Sequence, residues 1–265
     1  MGVVNVTPDS FSDGGRFADA SAAIAHGLKL IADGADLLDI GGESTRPGAA
    51  PVSEAEELAR VLPVIEGLAG QGPALSIDTT KPVVARAAMA AGALVWNDVT
   101  ALRAPGALAA AAELGCQVIL MHMQGEPGTM QKAPHYDDVV AEVADFLAER
   151  ASAAMAAGVD QENIWIDPGI GFGKNLDHNL ALLAHMDVIA GLGFPVVLGV
   201  SRKRFIQAID PDATDAGDRL GGSIAAALAG VGGGASVLRV HDVRETVQAL
   251  KVLAAISAAA DPSGL

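Results

Sequence analysis

The feature that most constrains this chain is a repeated pattern: short apolar runs that end at a glycine or polar residue, with helical stretches between them. The runs fall at 2–6, 37–40, 75–77, 94–96, 118–121, 164–166, 196–200 and 237–240. Between them lie amphipathic stretches such as 22–31, 54–68, 83–91, 139–157 and 179–189. Strands buried on both faces read as continuous apolar runs, and each parallel crossover needs about a dozen residues or more, usually a helix. Eight such units predict a (β/α)8 TIM barrel. On periodicity alone, a doubly wound open sheet remains the alternative. The 265 residues suit one barrel, a fold that typically takes about 250. No linker or low-complexity break divides the chain, so one domain over 1–265 is expected, and the acidic stretch 210–218 is expected to be a loop between strand seven and its helix.

The residues at the run ends carry the functional signal. Asn5 and Asp9 follow the first run; Glu43, Thr45 and Arg46 the second; Asp78 the third; Asn97 and Asp98 the fourth. His122 closes the fifth, Asp167 follows the sixth, Ser201 to Arg204 follow the seventh, and Arg239 and His241 close the eighth. In a barrel these positions gather on the C-terminal face, where barrel enzymes place their chemistry. Polar residues are ordinary at any one strand end, but a complete ring of them is not.

Charge sharpens this reading. Seventeen Lys and Arg against 32 Asp and Glu give a net charge of −15, which repels nucleic acid and anionic lipid. An anionic substrate therefore needs a local basic cluster, and Arg202, Lys203, Arg204, Arg239 and His241 supply one at the ends of strands seven and eight, where barrels commonly bind phosphate. Asp78, Asn97 and Asp167 lie across the ring. A carboxylate can accept paired hydrogen bonds from an amino-pyrimidine edge much as it does from guanidinium, so the ring suits a phosphorylated heterocycle. The segments 6–17 and 41–51, rich in Gly, Pro and Ser, are expected to be mobile βα loops that close over substrate.

Other chemistries fit less well. Cys116 is the sole cysteine and reads as core, which excludes an internal disulfide or a Cys-rich metal site. His26 and His185 fall on helical stretches, and the histidines make no metal cluster. Gly169-Ile170-Gly171-Phe172-Gly173-Lys174 lacks the Walker spacing, and Ser201 lacks a nucleophile elbow. With no evident covalent nucleophile, the reaction must rest on positioning and on stabilising a departing anion. Mean hydropathy is high at +0.36, yet no stretch reaches the roughly 18 uninterrupted apolar residues of a membrane span. No basic leader precedes the first run, so a cytoplasmic location is expected.

Eight blocks in order resemble the dihydropteroate synthases: MGVVNVTPDSFSDGG from Met1, GADLLDIGGESTRPGA from Gly34, SIDTTKP from Ser76, WND from Trp96, LMHMQGEPGTMQ from Leu120, IDPGIGFGKN from Ile166, GVSRKRF from Gly199 and RVHDV from Arg239. The resemblance implies a TIM-barrel transferase that joins 6-hydroxymethyl-7,8-dihydropterin diphosphate to 4-aminobenzoate, releasing pyrophosphate and 7,8-dihydropteroate. It places the pterin on Asp78, Asn97, Asp167 and Lys203, and the diphosphate on Asn5, Thr45, Arg46, Arg239 and His241. The 4-aminobenzoate pocket falls to Arg46, Pro47, Phe172, Ser201 and Lys203, and Mg²⁺ to the Asn5 amide oxygen. Asp78, Lys203, Arg239 and His241 are the implied catalytic residues.

The resemblance also implies a homodimer. It implies competitive inhibition by sulfonamides, because GGESTRPG is intact and no insertion flanks Phe172. The family more commonly has serine at the Thr100 position. Two rival readings are a pterin-dependent methyltransferase module, which has no need of the basic diphosphate residues, and a pterin-binding paralogue without synthase activity, which a binding titration beside a turnover assay separates.

Overall fold

A computed structural model describes residues 1–7, 16–44, 51–126 and 128–260. Most of the two expected lid loops, and with them Thr45, Arg46 and Pro47, lie outside the described residues. The strands are β1 (Gly2–Asn5), β2 (Leu37–Gly41), β3 (Ala74–Asp78), β4 (Val95–Asp98), β5 (Gln117–Met121), β6 (Ile164–Asp167), β7 (Val197–Leu198) and β8 (Val237–Leu238). The first six form one parallel sheet in sequence order, and β7 pairs with β8, also in parallel. Single bridges join the two groups: Ile166 to Val196, and Gly2 to Val240. Backbone bonds from Ile166 N to Pro195 O (3.0 Å) and from Val240 N to Met1 O (2.9 Å) complete the ring. The fold is a (β/α)8 barrel.

The helices follow their local signals. α1 (Arg16–Ala32) is followed by α2 (Glu54–Leu68), which is capped by the Ser53 hydroxyl and carries acidic residues in its first turn; α3 (Pro82–Ala90) starts on proline. α4 (Ala107–Leu114) precedes α5 (Val139–Ala156), where Asp138 accepts from Val140 N and Ala141 N. The stretch read as one helix over 179–189 is two, α6 (Leu176–Ala184) and α7 (Met186–Ala190), which meet at His185. The segment after β7 also departs from expectation. It opens with a short helix, α8 (Arg204–Ile209), before the acidic loop and α9 (Leu220–Gly232); α10 (Val243–Ala260) ends the described chain. None of these helices is long and apolar enough to cross a membrane.

Alternation along the strands sorts side chains between two environments. Val4, Leu38, Ile40, Leu75, Ile77, Trp96, Val118, Leu120, Ile164, Ile166, Val196 and Leu198 belong to the large core beneath the helices. Met1, Leu37, Val95, Ile119 and Val197 form a separate cluster with Ala74, Trp165 and Val237. This second cluster plugs the barrel near the N-terminal ends of its strands. Two residues further along each strand the inward positions are Val3, Asp39, Ser76, Asn97, Met121, Asp167, Gly199 and Arg239, and two further still come Asn5, Gly41, Asp78, Val99, Ser201 and His241. The interior thus changes from apolar to polar within one inward step, directly below the C-terminal mouth.

Candidate active site

The centre of the polar layer is a charge network that crosses the barrel. Arg239 on the β8 end donates from Nε to Asp39 Oδ2 at 2.6 Å and from Nη2 to Asp78 Oδ2 at 2.9 Å. Asn97 Nδ2 donates to the same Asp39 oxygen at 3.0 Å. Strands β2 and β3 therefore converge on the one guanidinium of β8, and β4 joins them through Asp39. Burial, and then the charge of Asp39, push the Asp78 carboxyl up to about 7, against the pull of Arg239. Burial opposes the charge on Arg239, but Asp39 and Asp78 outweigh it and hold the guanidinium firmly protonated.

Asp167 and Lys203 make the second part of the site. Asp167 is buried and its Oδ1 accepts from Gly169 N at 2.7 Å. Burial raises its pKa, with Lys203 the largest opposing influence. The Lys203 ammonium donates to the Ile170 carbonyl and lies 4.7 Å from the centre of the Phe172 ring. Burial lowers it to about 8, while Asp167 favours its charge.

Residues 169–174 form a close-packed backbone turn. Gly169 (φ +66°) and Gly173 (φ +61°) are left-handed, and a Cβ on either would stand 1.9 Å from His122 O or 2.5 Å from Gln124 O. The glycines let the chain press against the segment after β5, which is why the run looks like a phosphate loop without being one. Lys174 anchors the turn. Its Nζ lies 2.8 Å from His122 Nδ1 and donates to the carbonyls of Gly169 and Phe172, each at 3.0 Å. Burial lowers the lysine to about 7, and burial together with Lys174 lowers His122 to about 3, so the imidazole is neutral. His122 is a strut of this turn.

The basic cluster read from the sequence is less open than its composition suggests. Arg202 is committed to a bidentate pair with Asp242 (2.9 and 2.5 Å), which ties the β7 end to the β8 end. Arg204 is exposed at the start of α8. His241 donates its backbone N–H to Ser201 Oγ (3.2 Å), and its Nδ1 lies 3.0 Å from the same oxygen. Among the described residues, Lys203 and Arg239 are thus the cations of the mouth, with the His241 imidazole beside Ser201.

Below the second loop, Glu43 Oε1 accepts from Val52 N at 3.1 Å. Lys81 pairs with Glu43 and with the fully buried Glu57, and Arg60 Nη1 donates to Gly42 O at 2.7 Å. This staple joins the two ends of the loop. Asp98, at the end of β4, is spent on backbone: its carboxylate accepts from Thr100 N, Thr100 Oγ1 and Leu102 N, bonds that hold Ala101 and Leu102 at positive φ. A serine hydroxyl serves equally at position 100. No group of three or more His, Cys, Asp or Glu among the described residues makes a metal cage. Asn5, at the end of β1, makes no side-chain hydrogen bond among the described residues, so its amide oxygen is free to serve a hard cation.

A family model described as pterin binding enzyme matches residues 1–241. The dihydropteroate synthase of Escherichia coli strain K12 is 49% identical over 257 residues, covering 96% of this chain and 90% of the relative. The chain belongs to the dihydropteroate synthase family. Solved dihydropteroate synthases share its fold closely. That of Xanthomonas albilineans with 4-aminobenzoic acid superposes with a TM-score of 0.92 at 56% identity, covering 97% of this chain and 92% of the other. The Yersinia pestis enzyme in a sulfonamide drug complex gives 0.92 at 46% identity, covering 97% and 94%.

Of the dihydropteroate synthase positions named from the sequence, Asp78, Asn97 and Arg239 meet in the barrel mouth, Asp167, Lys203 and Phe172 make a second cluster, and Ser201 with His241 a third. Sequence reasoning missed Asp39, Lys174 and the Lys81–Glu57 pair. The signal for Asp39 was present: it is the one charged residue inside the apolar run 37–40, two positions after an inward leucine.

Proposed function

We propose that the barrel mouth joins 6-hydroxymethyl-7,8-dihydropterin diphosphate to 4-aminobenzoate by a dissociative displacement. The carbon–oxygen bond to the diphosphate breaks first, pyrophosphate departs with the electron pair, and the amine nitrogen then attacks the cationic pterin methylene and loses its proton. The observation that carries this reading is the Arg239 fork between Asp39 and Asp78, which sets a cation and a carboxylate side by side where a diphosphate leaves and a carbocation forms. Asp167, Asn97 and Lys203 hold the pterin, with Asp167 on its amino-pyrimidine edge. Arg239 and His241 take the departing charge, with Thr45 and Arg46 as further diphosphate contacts. Asp78, as the carboxylate, stabilises the cation. Phe172, Lys203 and Ser201 wall the aminobenzoate pocket together with Arg46 and Pro47.

Asn5 would hold Mg²⁺, an ion that commonly keeps most of its waters and prefers phosphate oxygens, in accord with a single amide oxygen and no carboxylate cage among the described residues. When bound, the ion supplies neutralisation of the diphosphate charge. Orientation of the two substrates remains the task of the chain's own residues. Sulfonamides compete for the aminobenzoate pocket.

The test is pyrophosphate release from the pterin diphosphate with Mg²⁺, with and without 4-aminobenzoate, and then with a sulfonamide. Release that depends on the amine, together with a sulfonamide that raises the KM for 4-aminobenzoate at unchanged kcat, is expected. Pterin binding without release overturns the catalytic reading. Arg239→Ala should weaken diphosphate binding, and unchanged affinity removes that assignment.

A further inference from the structure

Asp39 is unusual in this barrel. It is fully buried, its Oδ2 accepts from both Arg239 Nε and Asn97 Nδ2, and its Oδ1 has no hydrogen-bond partner. Its register partner on β3, Ser76, also has a buried hydroxyl without a partner. A buried carboxylate with an unserved oxygen is a poor way to stabilise a core; an apolar residue of similar size commonly does better. The geometry it imposes on Arg239 accounts for its presence. Nε and Nη2 lie on one edge of the guanidinium and ordinarily grip a single carboxylate as a pair. Here they grip two different ones, the shorter contact going to Asp39. Among the described residues nothing accepts from Nη1.

We propose that Asp39 is a positioning residue: by taking Nε it divides the Arg239 fork, so that Asp78 is held by one hydrogen bond and Nη1 is left to meet the diphosphate. Without the charge of Asp39, the guanidinium turns its whole edge onto Asp78, and the two groups that must separate during the reaction lock together. The inference rests on the reaction assigned above. Asp39→Asn is the informative change, because the amide keeps the shape of the side chain and an oxygen for Asn97 Nδ2 in the place of Oδ2, while a neutral oxygen competes poorly with the Asp78 carboxylate for Nε. Only the charge is lost.

The experiment compares wild type and Asp39→Asn in three measurements: kcat with both substrates saturating, inhibition by pyrophosphate, and affinity for 6-hydroxymethylpterin, which lacks the diphosphate. The expected result is a kcat lower by about ten-fold or more and pyrophosphate inhibition weaker by about five-fold or more, as suits a lost charge-assisted contact, with pterin affinity changed by less than about two-fold. The low-pH limb of kcat/KM should also move down, because Asp78 loses a like charge and gains Arg239. The other groups that act on Asp78, namely Glu57 from α2 and Asp98 from β4, are unchanged. Equal kcat and equal pyrophosphate inhibition in the two proteins overturn the proposal. So does a parallel loss of pterin and pyrophosphate binding, which marks a purely structural residue. Absence of turnover in wild type refutes the underlying function instead. Asp39→Ala, which leaves a small space and no misplaced amide, carries the same test if the asparagine variant does not fold.

Discussion

Replacing Lys174 by Met tests whether the 169–174 turn is held by one buried amine. At pH 8 the lysine, lowered to about 7, is mostly neutral. As an amine it donates to the carbonyls of Gly169 and Phe172 and accepts from His122 Nδ1–H, all within 3.0 Å. Methionine fills the volume and leaves His122 Nδ1 and the Phe172 carbonyl unserved, each worth about 1–3 kcal/mol, while the Gly169 carbonyl keeps its bond from Phe172 N. More favourable burial of the thioether offsets about 1 kcal/mol, for a net loss of about 2–3 kcal/mol where the lysine is neutral both folded and unfolded; near pH 8 wild type must also release a proton on folding, which costs about 3 kcal/mol and cancels that loss. In a chain of this size each kcal/mol shifts Tm by about 2–4 °C, so by circular dichroism melting the two proteins should lie close together at pH 8, and wild type should gain about 3–5 °C on the variant at pH 9. The pH dependence adds a second check. A lysine whose folded pKa lies near 7, against 10.5 unfolded, leaves the unfolded chain holding the extra proton between those values. Wild-type stability therefore gains from rising pH across that window, by at most about 1.4 kcal/mol per pH unit for one proton, and Lys174→Met, which has no such proton, does not follow it. Because Phe172 is released, KM for 4-aminobenzoate should rise more than KM for the pterin diphosphate. A Tm difference between the two proteins that stays the same from pH 7 to pH 9 refutes the reasoning.

Gly169→Ala places a Cβ 1.9 Å from a backbone carbonyl at φ +66°; we expect loss of soluble, folded protein, and a variant that melts like wild type would contradict the packing. With Asp78 raised to about 7 and needed as the carboxylate, kcat/KM should fall as pH drops below about 7, and Asp78→Asn should be slow with that limb abolished; a pH profile flat to 5.5 in wild type would count against its role. Ser76→Ala removes a buried hydroxyl that has no partner, so stability should be unchanged or higher by up to about 1 kcal/mol, read by urea denaturation.

The barrel was legible because its strands are buried on both faces, under the helices and inside the barrel, so that they read as apolar runs. β7 and β8 are only two residues long in hydrogen-bonded pairing, and the longer runs at 196–200 and 237–240 marked them through their burial. The break at His185 escaped a periodicity argument because α6 and α7 carry similar apolar spacing on either side of it. Site residues at strand ends stood out as polar breaks after apolar runs. Asp39 did not, because one carboxylate between Leu38 and Ile40 reads as noise until the inward register is counted. Arg202 was misjudged for the opposite reason: its partner Asp242 lies 40 residues away, and nothing local foretells that its charge is already committed. Lys174 was hidden by a glycine-rich neighbourhood that resembles something else.

The apolar plug of Met1, Leu37, Val95, Ile119 and Val197 makes the barrel a blind well. Among the described residues that end is closed, so substrates and products use the C-terminal mouth, above Asp78 and Arg239. Under the proposed reaction, pyrophosphate and 7,8-dihydropteroate leave by the path their precursors entered, past the ends of the same two loops. The order of departure is then a matter of queueing: whichever product lies deeper waits for the one above it.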